Sequence, residues 1–337
     1  MTTLAPQRFK LSAPRSVPRP VLPPLLRVVV RRLLLAVPLL FVVSVLSFVL
    51  VSLTPGDVAR QILGQDAPQS AVLSLRHQLG IDQPIYEQYW HWLTHAISGD
   101  FGTSVFTGQA VSEAINARIG ATLWLILLSL LVVGVLGVGL GVLSAVRGGV
   151  VARVVDAFSL IGFALPSFWI GAVLISLLAV RNHWFPAVGY VSPADSPGRW
   201  LQSLTLPIVA LSLHSVAALA KQTREAMVDV LGSEHIRMAR ANGVSTASLL
   251  FRHALKNAAI RIVTIFGLLT VGLLGGTVIV ESVFALPGTG SLAVTAVTQH
   301  DLPVAQGIVI YYTLIVVVVN LLVDLAYTWL NPRVRTR

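Results

Sequence analysis

The chain contains no cysteine. Disulfides, thiol catalysis and cysteine-ligated metal are therefore excluded. Charge is also scarce: 11% of the 337 residues are Asp, Glu, Lys or Arg, against 55% hydrophobic. Typical soluble domains carry about 25% charged residues. Lysine is reduced to Lys10, Lys221 and Lys256. None of them lies in a G-x-x-x-x-G-K-[ST] loop, so that phosphate-binding device is missing. There is no H-E-x-x-H zinc site and no G-x-S-x-G elbow. No pair of carboxylates can be set on one helix face within the apolar segments. An enzyme reading thus fails on inventory.

What is present is a rhythm of apolar runs. Six uncharged stretches cover residues 33–56, 119–146, 157–180, 200–220, 262–280 and 302–323. Each can cross a hydrocarbon core of about 30 Å at about 1.5 Å per helical residue. The formal charge of +10 could suggest nucleic acid, but its placement argues for topology instead. With both termini in the cytoplasm, 19 of the 24 Lys and Arg fall inside and 5 outside. Nine acids fall outside and four inside, with Asp324 inside the last run. The positive-inside rule then predicts six transmembrane helices in an all-α polytopic fold, N-in and C-in, with the lipid bilayer as partner. Nucleic acid is not called for.

Residues 1–26 hold six prolines among scattered arginines and are expected to form a disordered cytoplasmic tail. The first run is too long for the core of a cleaved signal peptide and reads as a membrane anchor. Residues 27–117 are read as the first transmembrane helix with a long external loop, 118–331 as a five-helix transmembrane domain, and 332–337 as a short cytoplasmic tail. Within the external loop, Leu73, Leu75, Leu79, Ile85, Tyr89, Trp92 and Ile97 recur at near-helical spacing, predicting two short amphipathic helices. They lie at the outer interface or cap the bundle. Gly134, Gly137, Gly139 and Gly141 in the second run suit close helix approach. Pro166 and Pro207 are each expected to kink or break a span and are candidates for a transport pathway or gate. Glu281 and Asp301 bracket an external stretch free of Lys and Arg. They read either as charges facing a path or an external protein, or as solvated helix-end charges. His214 and Asp324 are the titratable candidates within the spans. His214 reads as a packed helix histidine, and Asp324, beside Tyr327, as a structural hydrogen-bonding group.

The segment 221–261 is charged, cytoplasmic and long for a plain connector. A short helix is predicted over 233–241, with Ser233 as N-cap, Glu234 in its first turn and Gly243 as its stop. An apolar face resumes at Val244, Leu249, Leu250, Phe251 and Leu255. Such a hairpin is a candidate docking element for a soluble partner.

Here Arg237-Met238-Ala239-Arg240-Ala241-Asn242-Gly243 and Arg252-His253-Ala254-Leu255-Lys256-Asn257-Ala258 resemble a known pattern. It is the coupling loop of ATP-binding-cassette (ABC) importer permeases, in the version of the dipeptide/oligopeptide/nickel subfamily. Leu165-Pro166-Ser167-Phe168-Trp169 and Glu281-Ser282-Val283-Phe284-Ala285-Leu286-Pro287-Gly288 also resemble that subfamily, as does Gly99-Asp100-Phe101-Gly102-Thr103-Ser104 in the external loop. Further matches in order extend from about Arg27 to Asn331-Pro332-Arg333. The long external loop is similar to that of the first permease of the pair. Met238, Asn242, Thr289 and Asn331 depart from the pattern.

The resemblance implies a type I importer permease fold in the cytoplasmic (inner) membrane. It implies a second homologous permease, two ATPase subunits and an extracytoplasmic substrate-binding protein as partners. Glu234, Arg237, Ala239, Arg240, Ala241 and Gly243 would couple to an ATPase. The chain would hold no cofactor of its own, with ATP and Mg2+ bound in the partner subunits. The implied cargo is short peptides, with nickel complexes, glutathione or haem as alternatives. An ion-driven secondary transporter is the rival class, but near-absence of charge in the spans speaks against it.

Overall fold

A computed structural model describes residues 24–54 and 56–330. Most of the proline-rich tail, Pro55 of the Thr54–Asp57 turn, and the segment 331–337 with its arginines lie outside the described residues. Helix α1 (Pro24–Leu53) begins with proline in its first turn, where a missing N–H costs nothing. The external segment folds as α2 (Val58–Leu63), α3 (Gln69–Gln78) and α4 (Ile85–Ile97). Then follow α5 (Val111–Arg147), α6 (Gly149–Ala164), α7 (Ser167–Arg181), α8 (Pro197–Leu231) and the short α9 (Glu234–Ala241). The chain continues as α10 (Thr246–Val283), α11 (Thr289–Thr298) and α12 (Leu302–Leu330).

Five of these helices are long and apolar enough to cross a membrane, and α6 with α7 makes a sixth, broken span. The break is a bend of 99° at Leu165 and Pro166. Pro166 supplies no N–H to the preceding turn and biases Leu165 to extended backbone, found at φ −98° and ψ 121°. Pro207 behaves differently. Helix α8 runs through it without interruption, which corrects the expectation of a break there. Its neighbours Leu204, Leu206, Ile208, Ala210 and Leu211 are all buried. Packing from several helices keeps the helix continuous across the lost hydrogen bond.

Helix α8 is the axis of the bundle, touching α5, α6, α7 and α10. The approach relies on missing side chains. A Cβ on Gly137 would stand 2.8 Å from Leu219 Cβ, one on Gly162 2.6 Å from Ala217 Cβ, and one on Gly276 2.8 Å from Leu211 Cδ1. Gly134 and Gly137 lie in a π-helical turn of α5, Val133–Gly137, that turns this face toward α8.

Helix α1 stands outside this core and packs on α12 and α4. Toward the external side, Phe48 is buried against Tyr89 and Trp92 of α4, with ring centroids 5.3 and 6.5 Å away. Ser44 Oγ lies 2.9 Å from the Tyr89 hydroxyl. Trp92 thus seals α4 onto α1, while the nearby Trp90 is exposed. In the same external segment, Arg76 reaches Asp57 at 3.0 Å. Burial opposes the charge on Asp57, but the Arg76 contact and the backbone N–H groups prevail and hold its carboxyl below the usual value. At the other end of α1, Arg32 grips Asp324 of α12 with both Nε and Nη2. Asp324 thus takes its partner from a helix 292 residues away, not from Tyr327.

Removing one charge of this pair leaves the other uncompensated within an apolar span. Arg32→Leu should loosen α1 and lower the thermal unfolding midpoint in detergent. The swap Arg32→Asp with Asp324→Arg should recover most of the loss. Equal midpoints for all three proteins would show that the pair contributes nothing.

Candidate functional site

The hairpin after α8 is built from local rules. Gly232 ends α8, Ser233 turns extended at φ −74° and ψ 154°, and α9 begins at Glu234. Ser233 occupies the predicted cap position, but its hydroxyl bonds backward to the Val230 carbonyl at 2.5 Å and lies 3.0 Å from Nδ1 of His235, with no bond to a backbone N–H of α9. At the far end, Gly243 N–H donates to the Arg240 carbonyl at 3.1 Å and Val244 N–H to the Ala239 carbonyl at 3.2 Å. This pair of bonds is a Schellman motif, which needs a left-handed residue, and Gly243 has φ +78°. Nothing lies within 4 Å of where its Cβ would be, so the constraint is conformational and not steric.

One residue seats the hairpin. Ile236 is fully buried in the main core with Met227, Leu249 and Ala254. Ala239 and Val244 pack against the same core. The opposite face is open: Glu234, Arg237, Met238, Arg240, Ala241 and Gly243 are exposed, and so is Phe251 beyond the turn. The surface thus joins two arginines to the apolar tips of Met238 and Phe251. The base is braced by ion pairs. Arg261 of α10 reaches Asp229 and Glu225 of α8, each at 3.2 Å, and Arg224 of α8 reaches Asp156 of α6 at 2.6 Å.

The external acids are not where a helix-end charge would sit. Glu281 and Asp301 are buried, at 1% and 3% exposure, which overturns the solvated reading for both. The Thr122 hydroxyl of α5 donates to Glu281 Oε1 at 2.6 Å, and Ser291 N–H donates to Oε2 at 3.0 Å. Thr289 N–H donates to Thr122 Oγ1 at 2.9 Å, and the Thr289 hydroxyl reaches Tyr312 of α12 at 3.2 Å. Gly288 leaves the space this carboxylate fills, since a Cβ there would overlap it. Thr289, an interruption of the apolar pattern in sequence, is therefore a working member of the network. Asp301 accepts from Ser104 Oγ at 2.5 Å and so pins the loop before α5 to the start of α12. The two acids serve different contacts and are not brought into one site.

Of the proline candidates, Pro166 lines a cleft of about 430 Å³ between the α6–α7 break, α8 and α10. Pro207 is buried in α8 and does not line it. Sequence reasoning missed Thr122, Thr289, Ser104 and the Arg32 partner of Asp324. Only the last left a signal, in the form of an isolated acid in one span and Arg31-Arg32 at the matching end of another.

Thr122→Val keeps shape but removes the donor to a buried carboxylate. It should cost about 1–3 kcal/mol of stability, read as a lower unfolding midpoint in detergent. An unchanged midpoint would mean that Glu281 is satisfied without Thr122.

Comparisons with known proteins fit this geometry. The family described as binding-protein-dependent transport system inner membrane component matches residues 137–336, and its N-terminal membrane component matches residues 25–126. The probable peptide ABC transporter permease protein y4tP of Sinorhizobium fredii is 39% identical over 308 residues, covering 91% of this chain and 98% of that protein. The glutathione transport system permease protein GsiC of Escherichia coli K12 is 39% identical over 312 residues, covering 92% and 99%. A chain of the MetNI methionine ABC transporter, in inward-facing conformations, superposes with a TM-score of 0.52 at 17% identity, covering 65% of this chain and 97% of that one. That likeness speaks for the type I permease fold alone. The chain belongs to the binding-protein-dependent transport system inner membrane component family, and is an ABC importer permease subunit and not an enzyme.

Proposed function

We propose that this permease imports short peptides by alternating access, with α9 as the element through which an ATPase drives it. It would pair with a second homologous permease, rest on two ATPase subunits that bind ATP and Mg2+, and receive cargo from an extracytoplasmic binding protein. The observation that carries the reading is the hairpin: a short helix, closed by a Schellman turn at Gly243, presenting Arg237, Met238 and Arg240 from the end of the central helix. Arginines offer charge-assisted hydrogen bonds, and the small, exposed Ala241 allows close approach to a groove, while Ala239 lies on the core side. The cargo rests on the relatives, whose names specify peptide and glutathione transport. Glutathione is itself a tripeptide thiol, so the two names share a chemistry of backbone amides and charged ends.

The hairpin turn supplies the test. Gly243→Ala meets no clash but places a Cβ in the left-handed region, at about 1–2 kcal/mol. Gly243→Pro cannot reach φ +78° and also loses the N–H bond to Arg240. In proteoliposomes holding the full importer and its binding protein, the Pro variant should insert and assemble but fail to link ATP hydrolysis to peptide uptake. The Ala variant should fall between it and the wild type. Normal peptide uptake by the Pro variant would remove α9 from the coupling role.

A further inference from the structure

Where the helix breaks at Pro166, one backbone carbonyl loses its ordinary donor. In an uninterrupted helix the Gly162 carbonyl would accept from the N–H of residue 166, and proline has none. The structure gives that carbonyl a substitute: Nδ1 of His214, on α8, lies 3.1 Å from it. A carbonyl oxygen only accepts, so Nδ1 carries the hydrogen. The ring is steadied from the side by Phe163, edge-on at 5.0 Å and 89°. In the neutral imidazole this tautomer leaves Nε2 as an acceptor. Among the described residues no partner is seen for it.

Position makes this acceptor informative. His214 belongs to the apolar run 200–220, yet it is exposed and lines the cleft of about 430 Å³ with Pro166, Ser167, Ser215 and Gly272. Non-helical backbone at membrane depth is tolerated where protein buries it or where it borders a water-filled cavity. Ala164 and Pro166 are exposed, so this chain does not bury the break itself. Gly272, opposite on α10, meets nothing within 4 Å of its missing Cβ and leaves the cleft open. A polar ring, a serine hydroxyl and a broken helix converge on one opening.

We propose that His214 is a cargo-contact residue in the membrane, its Nε2 accepting a hydrogen bond from an amide N–H or the α-ammonium of a peptide as it passes. The inference rests on the peptide reading above and adds a residue to it. Fixing the tautomer through Gly162 makes the site read donors, which peptides present along their whole length. A single hydrogen bond is weak enough to release what it holds.

The absence of cysteine supplies the experiment, because His214→Cys places the only thiol in this chain. The complete importer, with binding protein, is reconstituted and treated with a charged methanethiosulfonate reagent, with and without tri-alanine during ATP turnover. Labelling of the introduced thiol that tri-alanine slows is the expected result. In parallel, His214→Leu should reduce tri-alanine uptake about fivefold, the worth of one hydrogen bond. His214→Gln, which can present an acceptor near the Nε2 position, should stay close to wild type. Labelling that tri-alanine does not change, absence of labelling, or full uptake by the Leu variant would each overturn the assignment. Loss of the second permease on purification of the Leu variant would also overturn it, by moving His214 into the permease interface. Failure of the wild-type importer to take up tri-alanine would instead overturn the peptide reading, and this contact with it.

Discussion

Lipid tails are as apolar as leucine, so helices in a bilayer gain nothing by merely hiding apolar surface from one another. They must touch closely enough for dispersion and hydrogen bonding to favour protein over lipid. Here that contact is made at α8, where Gly137, Gly162 and Gly276 let three other spans approach within side-chain distance of Ala217, Leu219 and Leu211. The cleft beside Pro166 and the α9 hairpin are both fixed relative to that axis. The α6–α7 break can stay open because α6 is already anchored there by Gly162 and by the Ser159 hydroxyl on the Ala217 carbonyl at 3.1 Å. Pro207 can sit in α8 without breaking it because the same crowding supports its backbone.

The central helix also joins the hairpin to the cleft. Its cytoplasmic end leads through Gly232 into α9, which Ile236 seats in the core. Its membrane portion carries His214 into the cleft beside Pro166. The Arg224–Asp156 and Arg261–Asp229 contacts tie the same end of α8 to α6 and α10. These are the helices that border the cleft. The external side is held separately, by the Glu281–Thr122–Thr289 network and by Asp301 on Ser104. The buried Glu281 carboxylate, bonded through both oxygens, fixes its loop more firmly than apolar packing alone.

How much was readable beforehand differs by element. Helix α9 and its stop at Gly243 were legible because a helix end is encoded by neighbouring residues, here Ser233, Glu234 and a glycine that tolerates positive φ. The break at Pro166 was legible for the same reason. At Pro207 the same argument left a kink or a break, and no break occurs, since what surrounds α8 keeps that helix continuous. The acids at 281 and 301 could be read either as facing a path or an external protein or as solvated helix ends, because charge and loop position are visible in sequence while burial is not. Thr122 and Thr289 are ordinary residues until 167 positions of chain bring them within 3.0 Å. Arg32 counted only as one of the inside arginines, and its hold on Asp324 needed α1 laid against α12.

By itself, then, the sequence determined the all-helical, multi-span character of the chain and the local geometry of α9. Those follow from hydrophobic length and backbone preference, which act over a few residues. The tertiary structure alone decided which proline opens a cleft, which acids are buried, and which ring nitrogen of His214 meets the Gly162 carbonyl. Those depend on contacts between segments far apart in the chain, where close packing and the pairing of freed backbone groups set the outcome.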